Sequence, residues 1–317
     1  MTAITCLGGG HGLFATLRAA RSLTDDVTAV VTVADDGGSS GRIRRELGQI
    51  PPGDLRMAMC ALAADDERGR LWESVAQHRF GGTGALAGHA VGNLLIAGLV
   101  SVLGDEVSAL DEAAAVLGVR GRVLPMCSIP LDIEAEVVGL EDDARVVRPV
   151  RGQVAVATTP GQVRRIRLIP DNPPATPEAV SAIRDADLVT LGPGSWFTSV
   201  LPHLQVPELT EALRETTATR VVVLNLVSEP GETAGFSAER HIHMLTQHSP
   251  GLTADAIIVD ERTVTGVTEL RFLERAAAGL GAEIVIADVQ EIDGDGRWTG
   301  RHQPRKLAAA LQGRLAG

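Results

Sequence analysis

Ala3-Ile4-Thr5-Cys6-Leu7-Gly8-Gly9-Gly10-His11-Gly12-Leu13 joins a short apolar run to a glycine-rich loop, and a segment of helical spacing follows. A strand over 3–7 feeding a helix over 13–22 through such a loop is the opening unit of a parallel α/β sheet. The same alternation recurs outward from it. An apolar run over 27–33 ends in Ala34-Asp35-Asp36-Gly37-Gly38. Runs over 188–191, 221–226, 256–259 and 284–287 alternate with helical spacing near 198–204, 238–247 and 269–278. Asp54, after the breaker Pro51-Pro52-Gly53, is placed to cap a helix over 55–63. A helical stretch near 88–103 follows Gly81-Gly82-Thr83-Gly84, and a last helix covers about 305–315. From 119 to 170 the spacing changes to short β-type runs (134–138, 145–150, 154–157, 163–169), which predict an antiparallel β insertion. The pattern as a whole predicts one α/β domain over 1–317. Its core is a Rossmann-like, doubly wound, mainly parallel sheet with helices on both faces.

Composition narrows the chemistry. The 317 residues carry 29 Lys+Arg against 40 Asp+Glu, a net charge of −11. No basic stripe is visible for neutralising phosphates, so nucleic acid is not an expected partner. The chain has no tyrosine, and its single lysine, Lys306, lies beside the last helix. That removes an internal Schiff-base lysine, tyrosine acid–base catalysis and the lysine of a P-loop. Cys6, Cys60 and Cys127 are far apart with no C-x-x-C, which fits reduced buried thiols rather than a disulfide frame or a zinc site. The start, Met1-Thr2-Ala3-Ile4, has no basic n-region. The longest apolar stretch, 91–103, contains Asn93 and falls short of the roughly 20 residues that span a membrane. A cytoplasmic protein without a membrane partner is expected. H-E-x-x-H is missing, Gly192-Pro193-Gly194-Ser195-Trp196 lacks the G-x-S-x-G order of a nucleophile elbow, and Trp72, Trp196 and Trp298 are not spaced as a stacking platform.

Ligands of open parallel sheets bind at the carboxyl ends of strands, and four unusual loops fall there. In Gly8-Gly9-Gly10-His11-Gly12-Leu13, glycines allow backbone to approach a pyrophosphate at a helix N-terminus, although Leu13 takes the place of a third fingerprint glycine. The alternative is a tight strand–helix turn. Asp35 and Asp36 follow at roughly the 20-residue spacing of a ribose-binding acid, or could hold Mg²⁺ beside a phosphate; an Asx turn is the plainer reading. Gly38, Ser39, Ser40 and Arg42 then add donors and a cation. Gly192-Pro193-Gly194-Ser195, with Thr198 behind it, reads equally as a second anion-binding turn or as a connector. Asn225 and Glu232-Thr233 are polar groups where a ribose or base edge could be read. His89 and Asn93, four apart, share one helix face, as ligand-contacting residues or as a satisfied core pair.

Taken together, these motifs resemble the bacterial gluconeogenesis factor family. The resemblance rests on the glycine loop from Cys6 to Leu13, the run from Val30 through Asp35-Asp36-Gly37-Gly38-Ser39-Ser40-Gly41-Arg42, and Pro51-Pro52-Gly53-Asp54-Leu55-Arg56. Gln77-His78-Arg79-Phe80, Gly88-His89, Gly92-Asn93-Leu94, Arg120 to Pro125, Gly192 to Ser195 and Pro230-Gly231-Glu232-Thr233 extend it in order over nearly the whole chain. Many members carry Thr where His11 stands. The family is similar to 2-phospho-L-lactate transferase, which has a Rossmann-like core and uses Mg²⁺. The resemblance implies a non-catalytic cytoplasmic regulator that binds UDP-N-acetylglucosamine or a related nucleotide sugar. It further implies support of cell-wall (peptidoglycan) precursor synthesis and cell shape on gluconeogenic carbon sources. On that reading no cofactor is required. Gly9, Gly10 and Gly12 approach the diphosphate, Ser195 and Thr198 donate to it, Asn225 reads the uridine and Arg301 lies near the diphosphate or sugar. A cell-wall precursor enzyme is the expected protein partner, and a homo-oligomer is expected. The competing reading is a Mg²⁺-dependent phosphotransferase in which Asp35, Asp36 and Asp54 hold the metal.

Overall fold

Ile4–Gly8 (β1) is buried at every position, as a strand covered on both faces by helices requires. The chain continues through Gly10–Arg21 (α1), Val27–Val31 (β2), Gly38–Leu47 (α2), Gly53–Ala61 (α3), Glu67–Gln77 (α4), Val91–Leu103 (α5), Glu106–Leu117 (α6) and Arg122–Pro125 (β3). Asp132–Val138 (β4), Val147–Arg151 (β5), Gln153–Ala157 (α7) and Gln162–Ile169 (β6) follow, then Pro177–Arg184 (α8) and Leu188–Leu191 (β7). A π-helical turn at Trp196–Val200 and a 3-10 turn at Leu201–Gln205 lead to Pro207–Glu215 (α9) and Thr219–Val223 (β8). Ala238–His248 (α10), Ala256–Asp260 (β9), Val267–Ala278 (α11) and Glu283–Ala287 (β10) complete the alternation. The hairpin of Gln290–Ile292 (β11) and Trp298–His302 (β12) precedes Pro304–Leu315 (α12). This computed structural model describes all residues except 1, 144, 229–232, 234, 265, 316 and 317.

Seven strands pair in parallel in the order β10-β9-β8-β7-β1-β2-β3. The chain winds from β1 to β2 and β3 on one side, and from β7 to β8, β9 and β10 on the other. The order therefore reverses between β1 and β7, where Leu7 stands opposite Leu191, and a crevice opens beyond their carboxyl ends. Helices cover both faces through one continuous apolar core that includes Leu7, Leu13, Leu17, Leu55, Met59, Trp196 and Phe197. Leu13 is 1% exposed. Its side chain belongs to that core and not to the crevice, which corrects its place among the candidate contacts. No helix among the described residues is long and apolar enough to cross a membrane.

Three local expectations need correction. The strand at 122–125 pairs in parallel with β2, so the antiparallel sheet is confined to 132–169, in the order β5-β4-β6. There Ile133, Ala135 and Val137 are buried while Glu134 and Glu136 turn outward, the two-residue alternation of a one-sided sheet. The predicted strand over 154–157 is the helix α7, because the Asp36 carboxylate accepts a hydrogen bond from Val154 N at 3.0 Å and holds its first turn. The predicted helix over 198–204 is instead the π and 3-10 pair. Val200 N bonds back to Ser195 O at 3.1 Å, and Pro202 has no N–H to continue a regular ladder.

Candidate functional site

The loop after β1 and the loop after β7 meet backbone to backbone. A methyl group on Gly12 would lie 2.1 Å from Pro193 O and 2.4 Å from Pro193 C, so only glycine permits this approach. Gly10 turns the chain into α1 with φ +58, and Gly192 and Gly194 adopt φ +76 and +143 in the facing loop. From β8, Asn225 braces that loop. Its Oδ1 accepts from Gly194 N at 2.9 Å and its Nδ2 donates to Gly194 O at 2.8 Å. Both ends of the amide are therefore occupied by backbone, while the residue lines the crevice. The Ser195 and Thr198 hydroxyls are bonded to one another, and Thr198 is buried.

Beneath the first loop two carboxylates converge. A methyl on Gly9 would meet Asp54 Oδ2 at 2.6 Å, and one on Gly53 would meet Asp35 Oδ2 at 3.2 Å. Burial, then the neighbouring Asp35 charge, push the Asp54 carboxyl up to about 7, against a hydrogen bond from the Gly10 amide that favours its ionised form. Burial also raises Asp35, opposed by hydrogen bonds from Gly37 N at 2.9 Å and from Ser40. Asp36 turns away to hold α7 and does not join the pair. Among the described residues no group of three or more His, Cys, Asp or Glu side chains is arranged around a common metal position. Asp35 and Asp54 alone still suit Mg²⁺, which commonly takes one or two carboxylates and completes its shell with water and phosphate oxygens.

Most polar residues at the start of α2 are tied inside the protein. Arg56 Nε donates to Asn93 Oδ1 at 2.8 Å, Asn93 Nδ2 to Ser39 Oγ at 3.0 Å, and Ser39 Oγ lies 2.9 Å from His89 Nδ1. Ser39 Oγ thus joins Asn93 to His89 in one buried chain of hydrogen bonds. Burial, followed by the positive charge of Arg42, lowers the His89 pKa. Arg42 holds the 81–88 loop through the carbonyls of Ala87 at 2.7 Å and Ala85 at 2.5 Å. Gly38, with φ +45, opens α2.

The crevice runs over three connected cavities. A chamber of about 340 Å³ at the ends of β8 and β9 is lined by Asn225, Phe236, His241, Asp260, Arg262 and Trp298. A neck of about 130 Å³ passes between His11 and Gly12 on one side and Gly194, Asn225 and Arg301 on the other. Beyond it, a chamber of about 500 Å³ is walled by His11, Arg56, Arg79, Glu291, Arg301 and His302. His11 is exposed, and partial desolvation with the charges of Arg301 and Arg56 lowers its pKa. His302 is buried, bonded to Leu224 O at 3.2 Å and lowered to about 4 by that burial.

Of the residues singled out from sequence, His11, Gly12, Gly194, Asn225 and Arg301 line this crevice, and Gly9, Gly10, Gly192, Ser195 and Thr198 stand in or just behind the two loops that meet there. Asp35 and Asp54 lie just under it. Asp36, Ser39, Ser40, Arg42, His89 and Asn93 have internal partners. Thr233 is buried, and Glu232 lies outside the described residues. Sequence reasoning missed the roles of Arg56, Arg79 and His302. Arg56 and Arg79 stood within the quoted motifs, and nothing in the local sequence gives His302 away.

The chain matches the model of the family described as 2-phospho-L-lactate transferase CofD over residues 4–297. It is 63% identical over 310 residues to a Mycobacterium tuberculosis protein provisionally named a gluconeogenesis factor, covering 98% of this chain and 89% of that one. The gluconeogenesis factor of Bacillus subtilis is 35% identical over 318 residues, covering 97% of this chain and 96% of the relative. A crystal structure of a UPF0052 family member from Bacillus halodurans superimposes with a TM-score of 0.84 at 34% identity, covering 98% of each chain.

Proposed function

The chain belongs to the CofD family, and we propose that it acts as a nucleotide-sugar-binding regulator of the gluconeogenesis factor kind. One observation carries the reading. The backbone of Gly12 packs on Pro193 at the switch point, so the start of α1, at His11 and Gly12, and the turn after β7, at Pro193 and Gly194, line one neck. A diphosphate in that neck meets amide donors, the positive end of α1 and Arg301. The β8–β9 chamber, with Trp298, Phe236 and hydrogen-bonding groups, takes the nucleoside. UDP-N-acetylglucosamine is the ligand we put first, and the sugar points away from that chamber. Regulation follows if the bound form presents a partner enzyme of cell-wall precursor synthesis with a different surface, which requires unequal ligand affinity in the two states. Control of cell shape during growth on gluconeogenic carbon, a cytoplasmic location and a homo-oligomeric state complete the proposal.

The Asp35–Asp54 pair favours a second reading, a Mg²⁺-dependent phosphotransferase. Two crowded carboxylates, one raised to about 7, gain from a divalent cation, and Mg²⁺ held there would neutralise charge on a transferred phosphoester. Calorimetry with UDP-N-acetylglucosamine beside GDP, with and without Mg²⁺, separates the two. One-site binding of the UDP-sugar with no product on long incubation is expected. Mg²⁺-dependent binding of GDP without UDP-sugar binding reverses the order.

A further inference from the structure

Apart from Arg301, the 500 Å³ chamber beyond the neck is not used by the diphosphate or the nucleoside, yet it is the most cationic part of the crevice. Arg56, Arg79 and Arg301 contribute to its wall, against one carboxylate, Glu291, whose Oε2 already accepts from Thr299 Oγ1 at 2.8 Å. This positive excess stands in a protein of net charge −11. Such local reversal of sign focuses an anion towards one position.

Arg56 makes the case specific. It is 3% exposed, and a methyl on Gly92 would press on its Cγ and Cδ at 2.9 Å, so the side chain is fixed between α3 and α5. Only Nε has a hydrogen-bond partner among the described residues; Nη1 is buried with none. A buried guanidinium normally has its donors satisfied, because an unpaired charged donor carries a large desolvation penalty. Arg56 is held by Asn93 at one edge, and its guanidinium borders the chamber with part of its hydrogen-bonding capacity unused. Arg79 anchors one of its nitrogens on Gly88 O at 3.0 Å at the rim of the same chamber. Guanidinium groups with unused donor capacity suit a carboxylate or a phosphate monoester by charge and hydrogen bonding.

We propose that this chamber is an anion subsite for an acidic group carried by the part of the ligand beyond the diphosphate, so that a nucleotide sugar with a carboxylate there binds more tightly than the same sugar without it. The inference rests on the nucleotide-sugar reading above. Arg56 and Arg79 are the specificity-determining residues, and Arg301 is shared with the diphosphate. Phe14, Ala15, Met57 and Pro304, beside Gln77, give the wall an apolar part that seats the body of a sugar ring.

UDP-glucuronate and UDP-glucose differ at a single position, a carboxylate against a hydroxymethyl group, and serve as the paired probes in calorimetry at about 0.15 M salt. The expected result is that UDP-glucuronate binds at least about tenfold tighter. Arg56→Met should abolish the preference, the two sugars then binding alike. Arg79→Gln, at an exposed position that does not endanger folding, should reduce it severalfold. Equal affinity for the two sugars overturns the anion subsite and leaves the nucleotide-sugar reading intact. Binding of neither removes both together. A preference that persists unchanged in a folded Arg56→Met protein and in Arg79→Gln places the carboxylate elsewhere and also overturns the proposal.

Discussion

Replacing Gly12 by Ala puts the contact between the two loops under direct strain. The new Cβ would stand 2.1 Å from Pro193 O, 2.4 Å from Pro193 C and 2.7 Å from Gly194 Cα, all backbone atoms that no rotamer change can move away. Ordinary contact requires these loops to part by about 1 Å, and overpacking of this kind costs about 1–3 kcal/mol. Gly12 lies within α1, so alanine recovers up to about 1 kcal/mol of helix propensity, and the net loss is about 1–2 kcal/mol. Urea unfolding should show a lower midpoint at unchanged slope, and the thermal midpoint should fall by a few degrees. Because strain is relieved by opening the neck, affinity for UDP-N-acetylglucosamine should drop at least about tenfold. Gly98→Ala is the control. That glycine sits in α5 with nothing within 4 Å of its would-be methyl, so the same chemical change should stabilise by up to about 1 kcal/mol. A Gly12→Ala protein as stable as the wild type, binding ligand with unchanged affinity, would refute the close approach of the loops.

Asn225→Ala strips partners from both Gly194 N and Gly194 O, so unfolding in urea should reveal a loss of about 1–3 kcal/mol, with weakened UDP-sugar binding. Asp54 has its folded pKa raised from 3.8 to about 7, so the folded state binds more protons between those values and stability falls as pH rises through that window. Asp54→Asn removes this loss, and its stability relative to wild type, followed by urea midpoint, should climb from pH 4 to pH 8; a flat difference contradicts the burial. His203 and His302 behave oppositely. Burial lowers both from 6.5 to about 4, the unfolded chain binds more protons in between, and stability should fall as pH drops through that range. His302→Gln should flatten part of that fall by a few kcal/mol, read in the same titration.

Most of the parallel sheet could be read directly, because β1, β7, β9 and β10 are short apolar runs that end in or lead straight into glycine or aspartate, whereas β3 stands beside the short β-type runs of the insertion and carries no such mark. The two glycine loops of the crevice could be read because strand ends and glycines coincide at Gly8 and Gly192. Contacts distant in sequence could not. Asp36 holds the first turn of α7 across 118 positions, so 154–157 keeps a β-like composition and is nonetheless helical. Ser39 and Arg42 look like ligand donors in isolation, but their partners His89 and Ala87 lie 50 and 45 positions away. Trp298–His302 lacks the apolar alternation of a strand, and its pairing with Gln290–Ile292 brings Arg301 and His302 to the crevice. Arg56 stands in a conspicuous motif, yet its burial depends on Gly92 of another helix.

A crystal structure of the chain grown with UDP-N-acetylglucosamine tests the central claim most directly. The account predicts the diphosphate over Gly10–Gly12 within hydrogen-bond reach of the backbone amides and Arg301, with the uracil in the chamber of Trp298 and Asp260. Nucleotide density in the groove of the antiparallel sheet, among Glu134, Arg165 and Arg167, or an empty neck at saturating ligand, would contradict it.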